Sequence, residues 1–343
     1  MEKTILVTGV SGFIGSAVAS RLLELGYRVV GTVNRNPARV LTPFSDRFTQ
    51  VKCNLAHTQE VGALVDSIQA KHTLVGIIHI AGLAIDWGPE EKFLLANLDS
   101  TGNLITEALN RELKFFIHTS TMAVHGFGVH HRSSTEEGPY TTPVTHYQRT
   151  KIASEQLIAD AGAAGLPCLT LRPGNVYGPG DTTTLYPILD AIADKKMAYV
   201  DGGRHLTNPV YIDDMVQGYE RALTALGSPD SQSFWGQAFN ITTDEEVSWK
   251  DYLQTASEYA ELPAPRTSAP AWIGYLGAAV LTAAFGLVRS ATPPPLTRYR
   301  ISQVAHDYHF TVDKARKLLG YQPLVGYKEG LRLAVAGWKA NQP

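Results

Sequence analysis

The first fifteen residues constrain this chain more than any other stretch. Ile5 to Val7 reads as a short buried strand, and glycines at positions 9, 12 and 15 follow it at once. Ile14, Val18 and Leu22, spaced i, i+4, i+8, give the next segment the core face of a helix. Gly26 stands where a helix C-terminus favours a left-handed residue. Strand, glycine turn and helix start, in that order, leave backbone N–H groups and the positive end of a helix dipole where a pyrophosphate can sit. The spacing is G-x-x-G-x-x-G rather than G-x-G-x-x-G, and alone it also fits a tight turn with no ligand. The rest of the chain has to decide between these readings.

Behind the turn, strand-like and helix-like runs alternate. Strands are expected at 28–33, 50–55, 74–80, 114–120 and 169–172, with helices at 58–70, from about Pro89 to Asn110, and from Tyr147. This alternation predicts a Rossmann-type, doubly wound parallel sheet with ligands at the carboxyl ends of its strands. Thr8, Ala81 and Thr121 fall at such ends. Residues 124–146 read as a substrate-side loop rich in Gly, His, Ser, Thr and Pro. From Pro173 onward the elements shorten. A late strand is expected at 239–241, a helix capped by Ser248 running to Ala260, and a last helix at 312–319 closed by Gly320. Residues 1–172 are assigned to a dinucleotide-binding domain to which 205–245 returns. Residues 173–204 and 246–343 are assigned to a smaller substrate-binding lobe.

The totals exclude several classes. The 343 residues carry a net charge near −2 and no long basic run, so neither nucleic acid nor an anionic membrane is held by bulk electrostatics. The two cysteines, Cys53 and Cys168, lie in strand-like runs and read as buried thiols in a reducing compartment. No basic and apolar leader precedes the first strand, which points to a cytoplasmic protein.

Tyr147-Gln148-Arg149-Thr150-Lys151 is the stretch that could do chemistry. Residues i and i+4 share a helix face, so the Lys151 ammonium can approach the Tyr147 phenol and favour its ionised form. Thr121, at a strand end, offers a hydroxyl to hold a substrate oxygen. Asn97, inside the helix expected from Pro89, is a fourth catalytic candidate. At the end of the second strand Asn34 and Arg35 stand where an acidic residue would bind the ribose 2′-hydroxyl, which favours NADP(H) and leaves NAD(H) open. The eleven histidines show no metal-ligand spacing, and no metal is expected. Asp213 and Asp214 read as a helix N-cap, and no G-x-S-x-G elbow occurs.

Taken together, these residues resemble the extended short-chain dehydrogenase/reductase family over nearly the whole chain. Thr8-Gly9-Val10-Ser11-Gly12-Phe13-Ile14-Gly15 looks like its cofactor fingerprint and His79-Ile80-Ala81-Gly82 like its second cofactor motif. Thr121-Met122-Ala123-Val124-His125-Gly126 is similar to Ser/Thr-x-x-Val-Tyr-Gly, which points to Thr121 rather than Ser120 as the catalytic hydroxyl. Tyr147 and Lys151 match Y-x-x-x-K, and Leu171 to Gly180 matches L-R-P-x-x-V-Y-G-P-G. The resemblance implies cofactor contacts from Gly9, Ser11, Gly12, Phe13, Ile14, Gly15, Asn34, Arg35, Asn54, Leu55, Ala81, Gly82, Thr119, Tyr147, Lys151, Pro173, Asn175 and Val176. It also implies a homodimer. Ala81 to Pro89, with Trp87-Gly88, and Pro293 to Pro323 look like the 3β-hydroxysteroid dehydrogenase branch and its bacterial relatives that reduce β-keto acids.

The expected activity is hydride transfer between a nicotinamide and a ketone or secondary alcohol on an apolar small molecule, with Tyr147 passing the proton. A nucleotide-sugar epimerase or dehydratase is the alternative. The arginine that such enzymes usually carry before V-Y-V-D-D is replaced here by Thr207-Asn208-Pro209 before Val210 to Asp214. A non-enzymatic redox sensor is a further rival, and the Tyr147/Lys151 pair speaks against it. Residues 271–288 carry no charge. As a helix they would reach about 27 Å, nearly the thickness of a bilayer's hydrocarbon core. A lid over the substrate pocket, or a shallow membrane-surface contact, is expected rather than a span, with Trp272, Tyr275, Leu276, Leu281 and Phe285 as its apolar wall.

Overall fold

Seven parallel strands make the central sheet of the computed structural model, which describes residues 3–34, 36–38, 46–288 and 292–342. They are β1 (Lys3–Thr8), β2 (Arg28–Val33), β3 (Phe48–Lys52), β4 (Thr73–His79), β5 (Phe115–Thr119), β6 (Cys168–Pro173) and β7 (Ala238–Ile241). Their order in space is β7-β6-β5-β4-β1-β2-β3. The chain reverses its direction of winding between β1 and β4, and the carboxyl ends of those two strands bracket the crevice where such sheets take ligands. Ile5, Leu6, Val7, Ile77, Ile78 and Ile117 are fully buried, because helices cover both faces and the central strands can therefore be apolar throughout.

Helix α1 (Phe13–Glu24) links β1 to β2 and α2 (Thr58–Gln69) links β3 to β4. The helix expected from Pro89 to Asn110 is interrupted. It begins as α3 (Glu90–Phe93), widens into a π segment over Leu94–Asp99, and continues as α4 (Ser100–Asn110). Asn97 lies in that widened turn and is fully buried. Helix α5 (His146–Ala163) starts one residue before Tyr147.

Other differences have local causes. β3 ends at Lys52 rather than 55 because Asn54 opens a turn into α2, its side chain accepting from the Ala56 N–H (3.3 Å) while its own N–H donates to Glu60 (2.8 Å). The stretch 124–146 contains a short strand, His131–Ser134, which pairs in parallel with Tyr308–Phe310 and so is tied to the C-terminal part of the chain. Tyr211, not an aspartate, is the N-cap of the helix Ile212–Leu226. Asp213 and Asp214 sit in its first turn, and Asp214 accepts from the Leu324 N–H (2.7 Å). The helix Asp313–Leu319 is followed by one more, Tyr327–Ala340. That helix buries Leu331, Ala334, Val335 and Trp338, and its packing outweighs the low propensity of Gly330 and Gly337.

Residues 271–288 form one helix, Ala271–Leu287, with Val288 as its C-cap. Ala278 packs it against Ile301 and Ala305, and Tyr275 Oη lies 3.1 Å from Ser302 Oγ. Trp272 (65% exposed) and Leu276 (59%) face solvent instead of lining a pocket. Among the described residues, no helix is long and apolar enough to cross a membrane.

Candidate active site

The glycine turn is shaped for close approach. Gly9 has φ +74°, and a Cβ at Gly15 would stand 2.2 Å from the Gly9 carbonyl oxygen. Helix α1 starts at Gly12 with no side-chain cap and no acidic residue in its first turn, so its leading N–H groups remain available to an anion. Ser11 is exposed, and Phe13 and Ile14 are half-buried beside it. These residues fit the pyrophosphate of a dinucleotide.

A chain of hydrogen bonds ties that turn to the neighbouring strand end. The Ile80 and Ala81 N–H groups both donate to Thr8 Oγ1 (2.9 Å each), so the Thr8 hydroxyl proton goes to His79 Nδ1 (2.8 Å). His79 Nε2 then donates to Thr101 Oγ1 (3.1 Å), which donates to the Asn97 carbonyl (2.5 Å). The ring stays neutral: burial, helped by the nearby Lys151 charge, pulls His79 down to about 3. The Asn97 side chain accepts from the Leu83 N–H (2.7 Å) and donates to Thr150 Oγ1 (3.0 Å). It thus holds the segment after β4 against α5. A Cβ at Gly82 would stand 3.1 Å from Asn97 Oδ1 and 3.3 Å from Lys151 Nζ, so Asn97, Gly82 and Lys151 converge.

Tyr147 and Lys151 are both buried on α5. A capping box fixes the start of this helix. The Gln148 N–H donates to Thr145 Oγ1 and the Thr145 N–H to Gln148 Oε1, both at 3.1 Å. Gln148 Nε2 also reaches the Ala123 carbonyl (2.9 Å), which locks α5 to the turn carrying Thr121. Thr121 accepts from the Ala123 N–H (3.2 Å) and its side chain hydrogen-bonds Tyr147. The Ser120 hydroxyl is buried and finds no hydrogen-bond partner among the described residues. Burial pushes the Tyr147 phenol up to about 12, and the Thr121 hydrogen bond pulls against this. Burial lowers Lys151 to about 8, opposed by Glu155. The Lys151 ammonium, expected to approach the phenol, donates to the Thr119 carbonyl (2.7 Å), and the Thr121 side chain is the neighbour that favours the ionised phenol. An unpaired buried ammonium is costly, and the strand-end carbonyl offers it an acceptor at once.

The remaining expected residues are spread around the same crevice. Asn34 is exposed at the end of β2, and Arg35 lies outside the described residues. Asn54 is exposed in the turn before α2, whereas Leu55 is buried and its carbonyl accepts from Asn103. The Thr119 hydroxyl pairs with Tyr219 Oη (2.6 Å). Pro173 ends β6, and Asn175 and Val176 lie in the next strand, Asn175–Tyr177, which pairs with Pro209–Tyr211. Asn175 Nδ2 donates to Thr207 Oγ1 (3.3 Å).

Sequence reading missed the wall around Tyr147. Phe93, Met122, Phe127, Tyr308 and Phe310 pack with it, joined at the edge by Leu83 and Tyr299. The Phe127 ring centroid lies 4.7 Å from that of Tyr299 and 5.1 Å from that of Tyr308. No local spacing could assemble these residues, although Thr145-x-x-Gln148 was a readable cap. The helix Arg298–Val304 presents Tyr299 and is itself latched to the segment after β4, with Arg300 forking onto both oxygens of Asp86 at 3.1 Å. A cavity lined by Lys3, Tyr27, Val75 and Phe115 lies at the amino ends of the strands, far from this chemistry. The structure also gathers His130, His205 and Asp307, which no sequence spacing foretold.

Comparison with known proteins agrees with this geometry. Residues 5–241 match the model of the NAD dependent epimerase/dehydratase family. The chain belongs to this family. A 2-alkyl-3-oxoalkanoate reductase from Shewanella oneidensis is 26% identical over 95% of this chain and 84% of its own length. A decarboxylating sterol-4-alpha-carboxylate 3-dehydrogenase from Mus musculus is 28% identical over 97% of this chain and 90% of its own. Among solved structures, the UDP-glucuronic acid 4-epimerase from Bacillus cereus in complex with NAD is similar in fold, with a TM-score of 0.75 and 22% identity over 98% and 99% of the two chains. This member of the epimerase/dehydratase family is an extended short-chain dehydrogenase/reductase of the 3β-hydroxysteroid-dehydrogenase-like branch, an oxidoreductase of an NAD-dependent family.

Proposed function

We propose that this enzyme interconverts a ketone and a secondary alcohol on an apolar small molecule. The aromatic wall around Tyr147 carries this reading. Phe93, Phe127 and Tyr308 are buried in one apolar cluster with Tyr147, flanked by Tyr299, and such surroundings suit a hydrocarbon skeleton where a nucleotide sugar would need polar and cationic partners. Bound nicotinamide supplies the hydride chemistry. Around it, Thr121 orients the substrate oxygen and Tyr147, protonated at neutral pH, donates the proton that a carbonyl oxygen requires as it is reduced. Lys151 carries positive charge beside the Thr119 carbonyl, and Asn97 and Gly82 leave it room.

The test is a panel of apolar cyclic and long-chain ketones with NADPH and with NADH, run beside UDP-sugars without added cofactor. Ketone turnover supports the reading; epimerisation of a UDP-sugar by the purified protein alone would replace it. NADP(H) is the favoured cofactor because no carboxylate stands at Asn34 or Arg35. Arg35→Ala should weaken NADP binding by about 1.5–3 kcal/mol, the range for hydrogen bonds to charged groups, and leave NAD nearly unchanged. Equal losses for both would assign the enzyme to NAD.

The reading extends to the whole chain. Residues 1–172 with 205–245 serve as the dinucleotide domain, and 173–204 with 246–343 as the substrate lobe, in a cytoplasmic homodimer. The uncharged helix Ala271–Leu287 rests on a membrane surface and gives apolar substrates a way in, since Trp272, Leu276 and Val280 are all more than half exposed.

A further inference from the structure

Three segments far apart in the chain meet beside the wall that Tyr308 contributes to the site. His130 precedes the strand His131–Ser134, His205 follows the turn Asp201–Gly203, and Asp307 precedes Tyr308–Phe310. One potential ligand atom from each lies within 4.8 Å of the others. His130 Nδ1 is 3.1 Å from Asp307 Oδ2, and His205 Nδ1 is 3.2 Å from Asp307 Oδ1. Two ligands of a tetrahedral zinc ion, with bonds of about 2.0–2.1 Å, stand about 3.3 Å apart, so both pairs are already at ligand spacing.

The hydrogen bonding leaves room for a cation. A carboxylate offers about four lone-pair directions. In Asp307, Arg132 Nε (2.7 Å) and the Leu206 N–H (3.1 Å) take one on each oxygen, and the others face the two imidazoles. His130 Nδ1 lies 3.2 Å from the Asp307 N–H as well as 3.1 Å from Asp307 Oδ2, so the tautomer decides which of the two it serves. In the tautomer that accepts from the Asp307 N–H, Nδ1 meets Oδ2 as one acceptor facing another, an opposition that a positive ion relieves. Beyond the other ring, His205 Nε2 lies 3.5 Å from Asp201 Oδ2, the carboxylate–histidine arrangement that orients metal-ligating imidazoles. Arg132, which holds Oδ2 at 2.7 Å, has 73% of its side chain exposed and His130 47%, so an entering ion would displace a solvent-exposed guanidinium rather than a buried one.

We propose that His130, His205 and Asp307 form a structural site for a borderline divalent cation, with zinc as the best match to two imidazoles and one carboxylate. The ion clips the turn at 205 and the strand Tyr308–Phe310 to the segment after Gly126. It thereby holds Tyr308 in the wall beside Tyr147.

Full-length protein stripped with a chelator and titrated with Co2+, then Zn2+, tests this. One equivalent of cobalt with the visible absorption of a four- or five-coordinate ion, displaced by zinc, is the expected result. His205→Ala should abolish that spectrum, and Asp201→Asn should weaken binding by about 10- to 100-fold, the usual loss for a partner of a ligating histidine. Asp307 also pins Leu206, so the variant safest for folding is His130→Ala, at the partly exposed ring. Zinc should raise the melting temperature of the parent and leave that of His130→Ala unchanged. No cobalt spectrum in the parent, or equal binding in the parent and both histidine variants, would overturn the site.

Discussion

Tyr147, like any phenol, keeps its proton at neutral pH; burial raises it further, to about 12, and the Thr121 side chain pulls against that rise. Tyr147→Phe should therefore abolish turnover while cofactor affinity stays within a few-fold, since ring packing survives and only the proton donor is lost. Activity above about a tenth of the parent would remove Tyr147 from this role. Lys151 gives a test that needs no substrate. Burial lowers it from 10.5 to about 8, so between those values the native state binds fewer protons than the unfolded chain, and stability rises with pH. Cofactor-free enzyme should gain on the order of 1–2 kcal/mol over Lys151→Met between pH 8 and 9.5, measured by urea unfolding. Tyr147 acts with the opposite sign only above pH 10, outside that window. Parallel pH profiles for the two proteins would refute the buried ammonium. Thr121, Tyr147 and Lys151 were legible because spacing on one helix and one strand end defines them. Tyr299 and Tyr308 were not, since nothing local says that residues 127, 299 and 308 will meet.

At the scale of elements, the Thr8 hydroxyl holds the β1 and β4 ends together by accepting two N–H groups and donating to His79. Thr8→Val keeps the shape and leaves those donors buried and unpaired, at about 1–3 kcal/mol each before relaxation. A loss of about 2–4 kcal/mol in unfolding free energy, largely restored in Thr8→Ser, is the expected outcome. A valine variant as stable as the parent would show that the three bonds carry no net stabilisation. Apolar runs announced the strands well, because a parallel sheet covered on both faces needs them. The π segment stayed hidden, since Leu94 to Asp99 has the composition of an ordinary helix, and what widens the turn is its fit to Leu83 and Thr150. The helix Tyr327–Ala340 hid behind its two glycines.

At the scale of the molecule, the helix Ala271–Leu287 leaves Leu276 and Val280 facing solvent, although nothing in its sequence is charged. Its length and apolarity were legible, but which side would face outward depended on its packing against Ile301. Replacing both Leu276 and Val280 by Asp should remove co-sedimentation with lipid vesicles while leaving the melting temperature within a few degrees, since neither side chain is in the core. Undiminished vesicle binding in that variant would rule out the helix as the contact.

The helix Tyr327–Ala340 also has a consequence for how the chain is made. Tyr177 lies in the core beneath it and donates to the Tyr327 carbonyl, 150 residues further on. At about 5–20 residues per second, a ribosome needs about 8–30 s to deliver the segment that covers it. For that interval the nascent chain displays an aromatic surface to its surroundings, and its yield in a cell depends on what occupies that surface first.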